Sequence, residues 1–341
     1  MNTNPMKATI KNILYCSLYY TGIFFLFLKV FVNSKKNYPI IILTYHRVVK
    51  TLKREINSST AINHPLKNFK REMNFLKRWF SVVALDEAVA MVKSGVLPQK
   101  PTVAITFDDG FEDNYFLAYP VLKSLCLPAT IFLTAGFIGT DKLPWVDEID
   151  QVFSKTDKRS VQLNSNFNNK VFPLRTIREK RKAFEQIVPK LKHLMYSKRV
   201  KLVDDIMRAL AAPAAGKRRM LGWHEIQEMS RDGVAFGAHT MSHPILSKMS
   251  LEDAKKEIIE SKRAIERELK VDVKHFAFPN GKRGDFSPEL QQYCKEIGFE
   301  SVCSCVYGSN KADADVFMLK RISPGKNFPV FVIDLVRAFY R

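Results

Sequence analysis

Four times along this chain an apolar, β-prone run ends directly in a polar cluster. IIL leads into TYHR (44–47), VAITF into DDG (108–110), VAFGA into HTMSH (239–243) and HFAF into PNG (279–281). Short apolar runs bounded by turn formers read as buried strands, and Ala129 to Thr134 and Ser301 to Val306 add two more. Helical spacing lies between them. Asn68 to Phe80 puts Phe69, Met73, Leu76 and Phe80 on one stripe, and Leu251 to Leu269 is a long amphipathic stretch with Ser250 as N-cap and Asp253 three residues on. Strands that alternate with helices pair in parallel. A doubly wound sheet gathers ligand groups near a switch point, whereas a (β/α) barrel brings polar groups from separate strands to one C-terminal mouth. Four clusters, each at a strand end, favour the barrel.

The chain has 341 residues, enough for one large α/β domain or two ordinary ones. The region from about 150 to 220 breaks the alternation: it is rich in Lys and Arg, mostly helical in pattern, and reads as an insertion. The expected organisation is a tail (1–12), an apolar segment (13–32), one catalytic domain (38–330) carrying the insertion, and a C-terminal helical tail (331–341).

The apolar segment, Ile13 to Val32, carries no charge from Ile13 to Leu28, and Lys29 lies near its far end. A spanning helix needs roughly 20 mostly apolar residues, and this run reaches that length. A cleaved signal peptide and a buried or interfacial helix are the rival readings; no small-x-small cleavage site follows the run. A single-pass membrane anchor is therefore expected, in the cell envelope. Lys7 and Lys11 on one side and Lys29, Lys35 and Lys36 on the other leave its orientation open. The net charge of +20 attracts polyanions such as nucleic acid, anionic lipid or acidic glycans. Without a zinc-finger or RNA-binding signature nucleic acid is not expected, and the apolar segment points to membrane.

The five cysteines (Cys16, Cys126, Cys294, Cys303 and Cys305) include no CxxC pair, which argues against a zinc ribbon or a thioredoxin motif. Cys303 and Cys305 alternate on a strand and read as buried free thiols.

Asp108-Asp109-Gly110 closes an apolar strand. Asp-Gly is an ordinary turn dipeptide, but adjacent carboxylates are costly to bury without a positive neighbour. His239 and His243, four apart, follow a β-like run, and Pro244 disfavours helix at His243. They read either as two unrelated surface histidines or as a loop that turns both rings inward. Two histidines and one carboxylate make a three-ligand catalytic zinc set with one open position. The second Asp of DDG can complete that set and leave the first as a base.

TFDDG (106–110), HTMSH (239–243) and FAFPNG (276–281), in that order, resemble the first three motifs of the polysaccharide deacetylase family, the NodB-homology or carbohydrate esterase family 4 fold. The likeness covers roughly residues 38–330, with the region near 150–220 as the divergent part. It implies a distorted (β/α) barrel of the NodB-homology type behind an N-terminal hydrophobic helix, a divalent metal with zinc the first choice, and removal of acetyl groups from glycans. It also implies Asp108 as general base and Asp109, His239 and His243 as metal ligands. Pro279 and Asn280 would belong to the groove wall, with a backbone amide near Asn280 holding the oxyanion.

Two departures stand out. Where many members carry an Arg that orients the base, this chain has Ala277, and where they carry a Tyr it has Asn280. No histidine follows His275, so the usual C-terminal catalytic His is absent. Among the others, His64 and His193 lie in polar loop or helical contexts, His224 at a helix start, and His275 at the wrong end of its strand. His46, in LTYHR, resembles the N-terminal histidine of the biofilm-polysaccharide deacetylase subgroup, which serves as general acid; its ordinary reading is a hydrogen-bonded loop residue. Trp145 and Trp223 can stack on sugar faces or fill the core. The expectation is a metal-dependent deacetylase of N-acetylated sugars in a surface or membrane-linked polysaccharide. An O-deacetylase, another C–N hydrolase and a catalytically silent glycan binder are the alternatives.

Overall fold

The structure, a computed structural model, describes residues 15, 17, 19–22, 26, 28–30, 37–51, 62–163, 167–211, 219–325 and 327–340. In chain order its elements are β1 (Ile40–Tyr45), β2 (Arg47–Val49), β3 (Asn63–Pro65), α1 (Leu66–Trp79), β4 (Ser81–Val83), α2 (Leu85–Ser94), β5 (Thr102–Phe107), α3 (Tyr119–Ser124) and β6 (Thr130–Leu133). Next come α4 (Trp145–Lys155), β7 (Ser160–Gln162), β8 (Val171–Pro173), α5 (Ile177–His193), α6 (Tyr196–Leu210), α7 (Trp223–Arg231) and β9 (Ala235–Ala238). The chain continues with α8 (Leu251–Leu269), β10 (His275–Ala277), α9 (Pro288–Glu296), β11 (Ser301–Tyr307), β12 (Leu319–Arg321) and α10 (Phe328–Ala338).

Seven strands run in the order β1-β5-β6-β9-β10-β11-β12, every neighbouring pair parallel, with β4 beside the first part of β5. Closure comes from Ile322, just past β12. Its N–H donates to Ile42 O (2.8 Å), and its carbonyl accepts from Thr44 N (3.0 Å). The result is the expected distorted (β/α) barrel. The strands are near-continuous apolar runs because a parallel strand is covered on both faces; all six residues of β1 and all six of β5 are buried. The amphipathic helices lie against this wall. In α8, Ala254, Ile258, Ser261 and Ile265 face inward, and Ser250 Oγ accepts the Asp253 N–H at the N-cap (3.1 Å).

Between β6 and β9 the chain leaves the barrel. Helices α4, α5 and α6 and the antiparallel β7–β8 hairpin enclose a hydrophobic cluster of their own, from Ile149 through Phe184 and Ile187 to Leu210. The insertion thus contains a hairpin that its helical pattern conceals.

The membrane anchor is a correction. No helix among the described residues is long and apolar enough to cross a membrane. Residues 13, 14, 16, 18, 23–25, 27, 31 and 32 of the expected span lie outside the described residues, as does the tail 1–12. The rest is interrupted by a turn at Thr21 and Gly22, where Gly22 has φ 78°. Tyr15 and Leu28 are buried in the main core, Tyr15 Oη accepts from Arg337 Nη1, and Tyr19 lies edge-on to Phe328 at 5.6 Å. Tyr15 and Tyr19 therefore find partners in α10, which is itself buried along most of its length, while Tyr20, Leu26 and Val30 stay exposed. The single-pass membrane localisation falls with the anchor.

Candidate active site at the barrel mouth

Parallel register delivers the polar clusters to one end of the barrel. Tyr45 pairs with Phe107, so His46 and Asp108 leave adjacent strand ends, and Asp108 N donates to Tyr45 O (3.0 Å). Leu133 pairs with Ala238 and accepts the His239 N–H (2.9 Å). The turns that follow are tight. Asp109, Thr240, His243 and Asn280 all have positive φ (75°, 67°, 53° and 60°). Such conformations are sparsely populated outside glycine and concentrate where surrounding structure over-determines them. Gly110 (φ 84°) holds a conformation that strains any residue with a side chain, and a Cβ there would also push Leu133 Cδ2, 2.9 Å away, aside.

Asp109, His239 and His243 each offer one ligand atom, and these atoms all lie within 4.8 Å of one another. Asp109 Oδ1 is 3.5 Å from His239 Nε2 and 3.2 Å from His243 Nε2, yet it has no hydrogen-bond partner and is buried. Three donors turned towards a common centre, one of them an orphaned buried oxygen, fit a divalent ion. His239 Nδ1 contacts Ala277 O at 2.6 Å, which fixes the ring with Nε2 towards that centre. Burial, with the neighbouring His243, pushes the His239 imidazole down to about 4 against the pull of the carboxylates, so it is neutral and able to ligate at neutral pH.

Asp108 is held by Arg321. Nη1 donates to Oδ1 and Nη2 to Oδ2, each at 2.7 Å, and Arg321 Nε donates to Ser304 O (2.9 Å). Both residues are 2% exposed. Burial alone would push the Asp108 carboxyl up; the Arg321 guanidinium, then His239, outweigh it and hold the carboxyl below its ordinary value. Arg321 answers the question left by Ala277: the orienting guanidinium comes from β12. Thr44 Oγ1 adds a longer contact to Asp108 Oδ2 (3.4 Å).

His46 Nε2 lies 3.9 Å from Asp108 Oδ2, its Nδ1 has no partner, and its side chain is 21% exposed. Its loop is gripped by the residues just after DDG. Asn114 Nδ2 donates to His46 O (2.7 Å). Asp113 accepts from Arg47 Nε (2.8 Å) and Val48 N (2.9 Å). The histidine loop is anchored from α8: Glu257 accepts from Met241 N (2.8 Å), Ser242 N (2.9 Å) and Ser242 Oγ (2.7 Å). Asp147, in the first turn of α4, is also buried; burial, then the charge on Asp109, pushes its carboxyl up to about 7.

The remaining expected site residues are more dispersed. Pro279 is buried and Asn280 half-buried, with Asn280 Oδ1 accepting from Lys192 Nζ of α5 at 3.0 Å. Trp145 packs against the insertion's core, and Trp223, half-buried at the start of α7, against the main core. Among the other histidines, His275 bonds Asp86 and Ser301 at the start of β10, away from the mouth, and His193 and His224 are exposed. His64 differs from its expected loop setting: it is buried in β3, with Nε2 3.0 Å from Glu72 Oε1. Cys294 and Cys303 are buried and free, Cys305 is free but only half-buried, Cys126 is exposed, and Cys16 lies outside the described residues.

A model of the polysaccharide deacetylase family matches residues 96–302. The chain is 35% identical over 109 residues to the putative polysaccharide deacetylase YxkH of Bacillus subtilis (strain 168), covering 32% of this chain and 36% of that protein. It is 33% identical over 118 residues to the poly-beta-1,6-N-acetyl-D-glucosamine N-deacetylase of Staphylococcus aureus (strain N315), covering 32% of this chain and 40% of that protein. The matched segments thus span well under half of either relative. In fold it is similar to the Streptococcus pyogenes deacetylase PplD in complex with acetate, with TM-score 0.59 and 18% identity over 88% of this chain and 99% of that one. It is also similar to IcaB from Ammonifex degensii, with TM-score 0.57 and 17% identity over 89% of this chain and 99% of that one. With a family match that runs through more than half of its sequence, this chain belongs to the polysaccharide deacetylase family.

Proposed function

We propose that the chain is a metal-dependent N-deacetylase of an acetylated polysaccharide. One observation carries the reading: a buried carboxylate, clamped at both oxygens by Arg321, stands next in sequence to the Asp109–His239–His243 cluster. When bound there, a divalent ion, with zinc the first candidate for this donor set, would supply Lewis-acid polarisation of the acetamide and of water. Asp108, kept ionised by Arg321, accepts a proton from the attacking water. His46, on the adjacent strand end with Nε2 3.9 Å from Asp108 Oδ2, donates a proton to the departing amine, a role suited to an imidazole. Backbone near Asn280 offers a donor to the developing oxyanion. The name of the Staphylococcus aureus relative supports an N-acetylated glucosamine polymer as the substrate class. The Arg321 clamp on Asp108 argues against a catalytically silent glycan binder.

Acetate release from N-acetylated and O-acetylated oligosaccharides, with metal content measured on the same samples, tests the reading. Release from the N-acetylated glycan is expected, and loss of both metal and release in an Asp109→Asn, His239→Ala double variant. Full activity in that variant would sink the metal mechanism. His46→Ala is expected to cost about 10²–10⁴ in turnover while metal content stays unchanged; unaltered turnover removes His46 from the chemistry.

A further inference from the structure

Beside the histidine loop, α4 and α6 of the insertion border a cavity of about 190 Å³ whose lining includes Trp145, Glu148, Tyr196, Arg199, Asp204 and Ser242. Ser242 immediately precedes His243, and its Oγ lies 3.5 Å from Tyr196 Oη, so the cavity adjoins the catalytic mouth. Arg199 is 1% exposed, and its Nη1 and Nη2 have no hydrogen-bond partner. Its guanidinium carbon lies 5.3 Å from the Trp145 ring centroid and 5.5 Å from that of Tyr196. Aromatic faces stabilise the cation through the plane of the guanidinium. They do not satisfy its N–H groups, which point outward in that plane. A buried fork of unsatisfied donors matches the two oxygens of a carboxylate or phosphate.

We propose that this cavity is a subsite for an anionic substituent, carboxylate or phosphate, carried by the glycan whose acetyl group occupies the mouth, with Arg199 as its anchor. The proposal rests on the deacetylase reading above for the glycan, and on Arg199 for the anion. Glu148 and Asp204, on the same lining, supply acceptors for sugar hydroxyls but offset the charges of Arg199 and Lys142, so the preference for an anion rests on the buried, unpaired fork of Arg199. An acidic sugar satisfies both sets of groups, whereas a neutral one leaves the guanidinium unmet. The chain's net charge of +20 acts in the same direction, raising the local concentration of acidic polymer.

Calorimetric titration of the full-length, metal-loaded protein tests this with two N-acetylated disaccharides: one bearing a glucuronate and its carboxyl-reduced neutral twin. Wild type is expected to bind the acid at least tenfold more tightly. Arg199→Gln should abolish that preference while leaving the neutral twin's affinity within twofold. Arg199→Lys, which keeps the charge but not the fork, should retain part of it, and it decides the matter should Arg199→Gln fail to fold. Inorganic phosphate and free glucuronate as competitors separate the sources: displacement by phosphate alone assigns the subsite to a phosphoryl group. Equal binding of the two disaccharides by wild type overturns the proposal, as does a preference that survives in both variants. Acetate release from the neutral twin, followed in parallel, reports on the deacetylase reading alone.

Discussion

Asp108 and Arg321 are 213 residues apart in sequence and form a buried, bidentate ion pair. Breaking such a pair from one side leaves an uncompensated charge, which costs about 3–5 kcal/mol. Arg321→Met should therefore lower thermal stability and, more tellingly, change the pH profile. The folded Asp108 carboxyl lies below its unfolded value, so the stability it contributes is present above the ordinary carboxylate range and is lost as pH falls through the folded value. Without the guanidinium, burial acts with less opposition and the carboxyl rises. The acid limb of kcat/KM should move to higher pH by about one unit or more in Arg321→Met. In Arg321→Lys it should move less, while kcat still falls, because an ammonium cannot make two parallel bonds to one carboxylate. An unmoved acid limb in Arg321→Met would show that Asp108 is not the group titrating there.

The histidine loop depends on a helix that contributes no ligand. Glu257 of α8 accepts three hydrogen bonds from Met241 and Ser242, inside the five-residue segment that holds both histidines. Glu257→Ala should cost about 1–3 kcal/mol in stability and, as loss of an outer-shell support, about 10–100-fold in metal affinity. Equilibrium competition with a chelator measures the second effect, and unchanged affinity would reduce Glu257 to a structural residue. Elements also mark what the sequence disclosed. β5, β9 and α8 are legible because each lies in a periodic or apolar run with a clear boundary, and HTMSH and DDG are legible because they follow such runs. β12 was not: three residues show no periodicity, so Arg321 read as one basic residue among many. Its only local signal is an Arg set between Leu319 and Ile322, alternating onto the same buried face as Leu319. Glu257 and Asn114 were equally hidden, because a carboxylate on a helix or an amide in a turn is ordinary until the fold shows what it grips.

For the whole molecule, apolar length proved an ambiguous sign. The Ile13 to Val32 run matches a membrane span in length, but of its described residues Tyr15 and Leu28 are taken up by tertiary packing against a core that includes α10, while Tyr20, Leu26 and Val30 are exposed. Hydropathy records that a segment leaves water, not what it enters. The chain has a second division: the insertion's hydrophobic cluster is separate from that of the barrel, and the two meet over the mouth through Lys192–Asn280 and Tyr196–Ser242. All three proposed metal ligands and Asp108 leave barrel strands. Ile187, fully buried in the insertion's cluster, separates the two contributions. Ile187→Ala should cost about 2–5 kcal/mol, seen as an earlier melting transition, with the metal content of the native protein unchanged. KM for a long glycan should rise more than KM for a single acetylated sugar, because the insertion borders the mouth without building its metal cluster. A parallel loss of metal at temperatures where the variant is still folded would mean that the insertion holds the histidine loop in place, and that the two cores act as one unit at the site.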